Sequence, residues 1–541
     1  MSIFSIGLTG LNAARNALYT TSNNISNVYT PGYNRELVIL GENMPGQGVA
    51  VNDVQRQFDQ YVADQLNTAN SKTSALQTYQ TQISQIDNLL ADEDAGLAPL
   101  MQNFFSSVSD LAGAPSDPAA RQGVIGSADT LSAQFRSFDQ YLTDMSSGLD
   151  GQLHDEVTQI NNNAQQIASL NKQISLAKAR QGEAPNSLLN QRDKLVADLN
   201  QRLDVRVSVQ DGGSYNISLG NGQPLVTGER AFQLQTMSSA EDPSRTVIGY
   251  QDSGGNLVEL DDSSFSGGSL GGLLTFRDET LDPTRNQLGL LAASFASAIN
   301  EVHEQGTDLN GDAGKALFSI GKPLGYANDK NSGSAGIDVV FDDANVDQLT
   351  GSDYDLQVSD AATGEFQITR RDTGETTTAT LDGDGKLSFG GVTVTVSDPT
   401  ALVDGDRFQV QPTRAAAAGF ENQIHDTSEI AAGLSDSSGD NSNALALEDL
   451  QKQNKVGGTA TFSQAYASLV GEVGNRTNIV QVNLDAQQGL SDQLSSVQQS
   501  QSGVNLDEEA ANLIRYQQYY QANAKVIQTG TTILDTLLNL R

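Results

Sequence analysis

The stretch Phe4-Ser5-Ile6-Gly7-Leu8-Thr9-Gly10-Leu11-Asn12-Ala13-Ala14-Arg15-Asn16-Ala17-Leu18-Tyr19-Thr20-Thr21-Ser22-Asn23-Asn24-Ile25 carries a seven-residue repeat. Phe4, Leu11, Leu18 and Ile25 recur at that spacing, with Gly7, Ala14, Thr21 and Val28 as companions. This is a heptad seam, and about 25 residues at 1.5 Å rise make a rod of about 37 Å. Asn12, Asn16, Asn23, Asn24 and Asn27 are poor interior helix formers, so the rod is marginal alone and needs a partner.

The same spacing returns far along the chain. Leu506, Leu513, Tyr520, Ile527 and Leu534 repeat every seven residues, beside Ala510, Ala524, Thr531 and Leu538, with Gln517 as the polar interruption. Asn505 is placed to cap this helix, with Glu508 three residues on in capping-box spacing. Asp507, Glu508 and Glu509 put negative charge at the positive end of the helix dipole. Two such helices flank a long middle of different composition, and pairing of the two as a coiled coil, within one chain or between chains, is the economical expectation.

Outward from the first seam, Thr30-Pro31-Gly32-Tyr33 reads as a type II turn and Arg35 to Leu40 as extended chain. Residues 56–111 read as helical, with Ile83, Ile86, Leu89 and Leu90 on one face. Leu153, Ile160, Ile167 and Ile174 mark a helix over 150–181, and 188–203 continues helically. The period then drops to two: Val205, Val207 and Val209 alternate with polar residues, and glycine-rich turns follow, giving a β region to about 270. Helix returns from Asn286 to Glu304, and a second β block spans about 337–411, with strands at Phe366–Arg370, Thr376–Leu381 and Val392–Val396. Residues 443–497 are helical again.

The expected fold class is therefore multidomain α+β, its N- and C-terminal helices paired in a coiled-coil or bundle rod with two β-rich outer domains inserted. The expected division is 1–45 with 500–541 as terminal coiled-coil domain and 46–204, 271–325 and 415–499 as helical rod. Residues 205–270 form the first β domain, and 326–414 the second.

Composition narrows the function. The 541 residues hold 31 Lys+Arg against 66 Asp+Glu, a net charge of −35. Such a surface repels phosphate backbones and anionic headgroups, arguing against nucleic acid and membrane partners. From Asp338 to Asp449 there are 22 acidic and 5 basic residues, the solvated face of an outer region. No apolar run reaches the roughly 18 residues of a membrane span. The N-terminus lacks the cationic stretch and cleavage site of a secretory signal. With no cysteine there are no disulfides, thiolate nucleophiles or cysteine metal sites.

The chemical candidates are weak. Asp308-Leu309-Asn310-Gly311-Asp312 opens like a calcium loop, but Ala313 and Ser319 stand where glycine and a bidentate glutamate belong, so it reads as a turn. Asp382-Gly383-Asp384-Gly385 reads as a hairpin turn. His154, His303 and His425 have no spacing that indicates ligation. No catalytic residue, metal site or cofactor is expected. A glycosidase-type carboxylate pair is defined by separation in space, not by count.

The run Thr20-Thr21-Ser22-Asn23-Asn24-Ile25-Ser26-Asn27-Val28-Tyr29-Thr30-Pro31-Gly32-Tyr33 resembles the N-terminal signature of bacterial flagellar axial proteins, shared by rod, hook and hook-associated subunits. Ser502 to Glu509 and Tyr519 to Ile527 are similar to the matching C-terminal signature. The closing Ile533-Leu534-Asp535-Thr536-Leu537-Leu538, the length and the inner helices resemble the hook-associated members that join hook to filament. The resemblance implies an inner tube of paired terminal helices, an outer layer of further helices, and β domains pointing outward. It also implies export without a cleaved signal through the flagellar type III apparatus, and a cytoplasmic chaperone at the C-terminal region. The implied assembly is a ring of copies between the hook protein and a second hook-associated junction protein, outside the cell. The expected docking residues are Phe4, Leu11, Leu18, Asn23, Asn24, Ile25, Asn27, Pro31, Gly32, Leu506, Leu513, Tyr520, Ile527, Leu534 and Leu538. Asn23, Asn24 and Asn27 either bond across to neighbours or cap the helix end. A hook or distal rod subunit is the near alternative; a secreted carboxylate hydrolase and an adhesin are distant ones.

Overall fold

A computed structural model describes residues 3–43, 48–92, 96–252 and 254–539. Its helices, in chain order, are α1 (Ile3–Ser26), α2 (Gln60–Leu90), α3 (Leu97–Gly113), α4 (Pro118–Gln181) and α5 (Asn186–Asn200). They continue as α6 (Gly268–Phe276), α7 (Asp282–His303), α8 (Ser442–Asp449), α9 (Phe462–Ser502) and α10 (Leu506–Asn539).

The spine is α4, 64 residues and about 96 Å long. Asp117 caps it, Pro118 occupies its first turn, and Gly182 ends it in the left-handed region at φ 84°. The predicted helix over 150–181 is its second half; Leu131, Phe135, Leu142, Leu153, Ile160 and Ile167 form one wholly buried stripe. Two further pairings build the rod. Helix α9, opened by a capping box between Thr461 and Gln464, runs antiparallel to α2: Tyr466 Oη donates to Leu90 O at 2.9 Å, and Ser491 bonds Asn70 farther along. Helix α6 runs parallel to α2, with Gly272 seated on the Ala75 backbone and Phe276 edge-on to Tyr79. A π-helical turn, Arg277–Leu281, joins α6 to α7.

The expected helical stretch over 56–111 is two helices, α2 ending at Leu90 and α3 starting at Leu97, and its first residues are not helical. A strand, Val49–Arg56, pairs antiparallel with Glu36–Glu42, and α2 starts only after Asp59, whose carboxylate accepts from the N–H groups of Tyr61 and Val62. Residues 443–497 are likewise interrupted, by the segment between α8 and α9.

Both β regions are antiparallel. The first holds a four-stranded sheet (Val205–Val209, Tyr215–Leu219, Pro224–Thr227, Arg230–Ala231) and a three-stranded one (Leu234–Ser238, Thr246–Gln251, Leu257–Glu259). The second has a five-stranded sheet in spatial order Leu324–Ala327, Arg407–Gln411, Tyr354–Asp360, Glu365–Arg370, Thr376–Thr380. Against it lies a three-stranded sheet in order Ile337–Phe341, Val392–Val396, Lys386–Phe389, close enough that a side chain on Gly325 would strike Val339. The turn at 382–385 reverses the chain as expected, but not as a hairpin: the strands it joins belong to the two different sheets.

Candidate assembly interface

The terminal helices lie side by side and antiparallel. Gly530 sits against Ile3 and Phe4, where a Cβ would find the Phe4 ring at 3.4 Å; a Cβ on Gly7 would lie 2.7 Å from Ile527, and one on Gly10 would collide with Asn523. On its other side α1 carries the hairpin of Glu36–Glu42 and Val49–Arg56, with Gly48 pressed against Thr9.

Most of this packing on α1 is made by small residues rather than by the large ones of the N-terminal seam. Phe4, Leu11, Leu18 and Ile25 are half-buried, whereas Gly7, Gly10, Ala13, Ala14, Ala17, Thr20, Thr21 and Asn24 are buried. Three of these, Gly7, Ala14 and Thr21, are the seam's companions; Gly10, Ala17 and Asn24 complete a stripe at three- and four-residue steps. Small side chains let the backbones approach, and that alternation of Gly, Ala and Thr was the readable signal for it. Across the interface Leu513 and Ile527 are half-buried, while Leu506, Tyr520, Leu534 and Leu538 are exposed.

The asparagines tie the end of α1 to the chain that leaves it. Asn24, 1% exposed, donates from Nδ2 to Glu36 O at 2.9 Å; its Oδ1 accepts the Glu36 N–H at 3.0 Å and the Tyr33 hydroxyl at 2.8 Å. Asn27 Nδ2 donates to Asn23 O and Oδ1, both at 3.0 Å, and the Thr30 hydroxyl donates to Asn27 Oδ1. These are caps and turn locks, as one of the two expectations held. Pro31 and Gly32 sit in the expected turn: the Tyr33 N–H donates to Thr30 O at 3.2 Å, with Gly32 at φ 79°.

Just past the turn Arg35 stitches the two ends together. Its Nε donates to Glu509 Oε1 at 2.8 Å, its Nη1 to Glu508 Oε2 at 2.6 Å, and its backbone N–H to Ser502 O at 2.8 Å. Asn505 caps α10 as expected, accepting at Oδ1 from Asp507 and Glu508, but the Glu508 carboxylate turns to Arg35. Burial works against the charge on Arg35, yet the bond to Glu508 and the nearby Glu509 outweigh it and raise its pKa. Burial, then the charges of Glu36 and Glu509, push the Tyr33 hydroxyl well above the usual tyrosine range.

Large apolar side chains meanwhile face outward. Ile3, Ile6, Leu8 and Tyr19 of α1 are exposed, as are Ile514, Tyr519, Val526, Ile533 and Leu537 of α10. In the whole of α10 the buried residues are Glu509 and Gly530. Such a pair has its own contact and a second, apolar surface left over.

Among the described residues no group of three His, Asp or Glu side chains is placed to hold a metal ion. Asp308 Oδ1 accepts the N–H groups of Asn310 and Asp312, closing a turn. His154 and His425 lie exposed, and His303 is buried. No described helix is long and apolar enough to cross a membrane.

Paired ends, a helical rod and β regions inserted between them define a flagellar axial protein, and comparison with known proteins agrees along the chain. Residues 4–34 match the flagella basal body rod protein family, and 498–540 the C-terminal family of the basal body rod proteins FlgEFG. Residues 83–318 match the helical domain of flagellar hook-associated protein FlgK, and 326–412 a D2-like domain of flagellar hook-associated protein 1. The chain is 43% identical to flagellar hook-associated protein 1 of Escherichia coli K12 over 552 residues, covering all of both chains. It is 43% identical, again over both full lengths, to that of Salmonella typhimurium. The solved structure of the flagellar hook junction protein FlgK from Burkholderia pseudomallei is similar at a TM-score of 0.74 and 31% identity, covering 81% of this chain and 100% of that one. The chain belongs to the flagellar hook-associated protein 1 family.

Proposed function

We propose that this chain, a structural protein of the flagellar hook–filament junction, works by docking the outward apolar surface of its terminal helix pair against copies of itself and against neighbouring axial proteins. The observation that carries this reading is the leftover surface: α1 buries its small residues, and Ile3, Ile6, Leu8, Tyr19, Ile514, Tyr519, Val526, Ile533, Leu534, Leu537 and Leu538 of the pair remain in water. On docking, Phe4, Leu11, Leu18, Ile25, Leu506, Leu513, Tyr520, Ile527, Leu534 and Leu538 move out of water. At about 1.5–3 kcal/mol per fully buried large side chain the gross gain is ample, and ordering and association costs take much of it back. Repeated around a ring, the remainder makes a durable joint.

On this reading residues 1–45 with 500–541 form the docking domain, the remaining helices its supporting rod, and 205–270 and 326–414 the β domains on the outside. The hook protein lies on one side of the ring and a second hook-associated junction protein on the other. The protein reaches that place through the flagellar export channel, held beforehand by a chaperone at its C-terminal region; with no disulfide to break, the chain can be threaded unfolded. Its work is mechanical and involves no catalysis. Removing 506–541 should leave the thermal unfolding of the rod and β regions in place while abolishing incorporation at the junction, scored by electron microscopy of flagella. Normal junctions built from the shortened chain would refute the docking mechanism.

A further inference from the structure

The five-stranded outer sheet has one apolar face and one polar face. Leu356, Val358, Phe366, Ile368, Phe408 and Val410 point into the core, while Asp355, Gln357, Thr369, Arg407 and Gln409 line open space facing the first β region. Arg407 and Gln409 also line a larger cleft, of about 1420 Å³, between the two β regions and the start of α7. The outer region connects to the rest of the chain by two strands of backbone, near 320–324 and 411–416. Polar interfaces between chain segments so connected permit relative motion.

The charged groups around the cleft fall into two classes. At its base Arg414 donates to Asp353 of the outer region at 2.7 Å, to Asp282 of α7 at 3.1 Å and to Asn286 at 2.9 Å. Asp282 also receives Arg245 of the first β region at 2.7 Å, and the π-turn adds Asp278 to Arg245. Gly351 packs on Gln287 beside this group, and Gln411 donates to Asp242 at 2.9 Å. Asp282, Asp353 and Arg414 are about nine-tenths buried. At the rim stand Arg371–Glu241 at 2.7 Å and Lys330–Glu259 at 2.8 Å, with a backbone bond from Asp329 N–H to Ala240 O. The Arg371–Glu241 pair is 35% and 37% exposed, and Lys330 is 66% exposed.

Salt acts differently on the two classes. Exposed pairs contribute about 0–1 kcal/mol and are screened; buried, fully hydrogen-bonded groups are screened far less. We propose that the outer β region is a hinged arm that turns about the buried Arg414–Asp282–Asp353 group, with Arg371–Glu241 and Lys330–Glu259 as latches that ionic strength releases. Asp282 is the pivot because one carboxylate is shared between a cation of the first β region and the cation that holds the outer one. The rim of the cleft that such opening widens is lined by Glu241, Glu259, Lys330 and Arg371.

The chain has no cysteine, so the full-length protein can be labelled at will. Asn221→Cys in the first β region and Thr378→Cys on the outer edge strand are both exposed positions for a donor–acceptor pair. At about 0.05 M salt the distance distribution should be single and narrow, and at about 1 M at least about twofold broader and shifted outward. The surface substitutions Arg371→Ala and Lys330→Ala together should give the broad distribution already at low salt. Superimposable distributions for both proteins at both salts would overturn the hinge. So would broadening that comes with loss of the near-ultraviolet circular dichroism, since the salt would then be unfolding the arm.

Discussion

The middle of the molecule and its paired ends use apolar residues in opposite ways. In the middle, Phe104, Phe105, Phe295, Phe318, Phe420 and Phe462 are all at most 3% exposed and meet in edge-on, tilted and stacked contacts, such as Phe295–Phe462 at 4.9 Å and Phe318–Phe420 at 4.8 Å. They bring α3, α7, α9 and the strands Phe318–Ser319 and Glu421–Asn422 to one point. At the ends α1 buries glycine, alanine and threonine against its neighbours, Ile527 of α10 packs on Gly7, and Ile6, Leu8, Tyr19, Ile514, Leu534, Leu537 and Leu538 look outward. A core that stands alone puts its large side chains inside; on the docking mechanism proposed above, the ends hold theirs back for a partner. The contrast can be broken by substitution, because the same loss of a large side chain should mean instability in one place and failed assembly in the other.

The largest loss of stability is expected at Phe295, the ring that touches the most others in the cluster. Phe295→Ala removes a wholly buried ring at the convergence of three helices and should cost about 3–5 kcal/mol, read as a lower denaturant midpoint for the middle of the chain. Next comes Arg35→Ala, which leaves the Glu509 carboxylate, 1% exposed, without its cation. The expected cost is about 2–3 kcal/mol, confined to the terminal pair. It should be seen as faster amide hydrogen exchange along α10 with an unchanged midpoint for the rod, which separates the two regions in one measurement.

His303 tests the middle by pH. Its Nδ1 donates to Lys315 O at 2.6 Å, and its Nε2 accepts the Ala431 N–H at 3.0 Å, which fixes a neutral ring. Burial pushes its pKa down, against the smaller opposing effects of the Lys315 carbonyl and Asp308; Arg121 lowers it further. The folded state therefore binds this proton less readily than the unfolded chain. Its stability is whole above the unfolded value of about 6.5 and is lost as pH falls through that value toward the folded one. His303→Phe should flatten that acid slope at a cost of about 1–3 kcal/mol at neutral pH, for the two backbone groups left unpaired. An unchanged slope in the variant would assign the acid sensitivity to other groups.

Much of this architecture was legible in the periodicity. The seven-residue repeats placed α1, α10 and the second half of α4, and the change to a period of two marked the first β region, because those patterns report directly which face is buried. Asn505 and Thr30-Pro31-Gly32-Tyr33 were readable because caps and turns are local. What escaped was set by distance along the chain. The hairpin of Glu36–Glu42 and Val49–Arg56 is held against α1 and α5, where Asn186 Nδ2 donates to Val54 O at 2.7 Å, and no local pattern announces that. Arg35 meets Glu508 and Glu509 from more than 470 residues away. Of the N-terminal seam, Gly7, Ala14 and Thr21 are buried, and Phe4, Leu11, Leu18 and Ile25 are half-buried. The large members of a heptad attract attention, whereas the small ones make the contact where two backbones come close.

That division by size sharpens the last substitution, which should cost the folded chain least. Leu534, Leu537 and Leu538 are 49%, 61% and 66% exposed, so serine at all three positions removes almost no native contact. Exposed changes of this kind usually stay within about 0.5 kcal/mol each, and the midpoint of the rod should not move. Serine is a somewhat weaker helix former than leucine, which adds only a little fraying. If these leucines serve the chain's own fold, exchange along α10 will rise while junctions still form. If they are held for a partner, the isolated protein will be indistinguishable from the parent and absent from the hook–filament junction. A triple variant that assembles normally would break the contrast between the two regions, since the outward leucines would then be no more than surface.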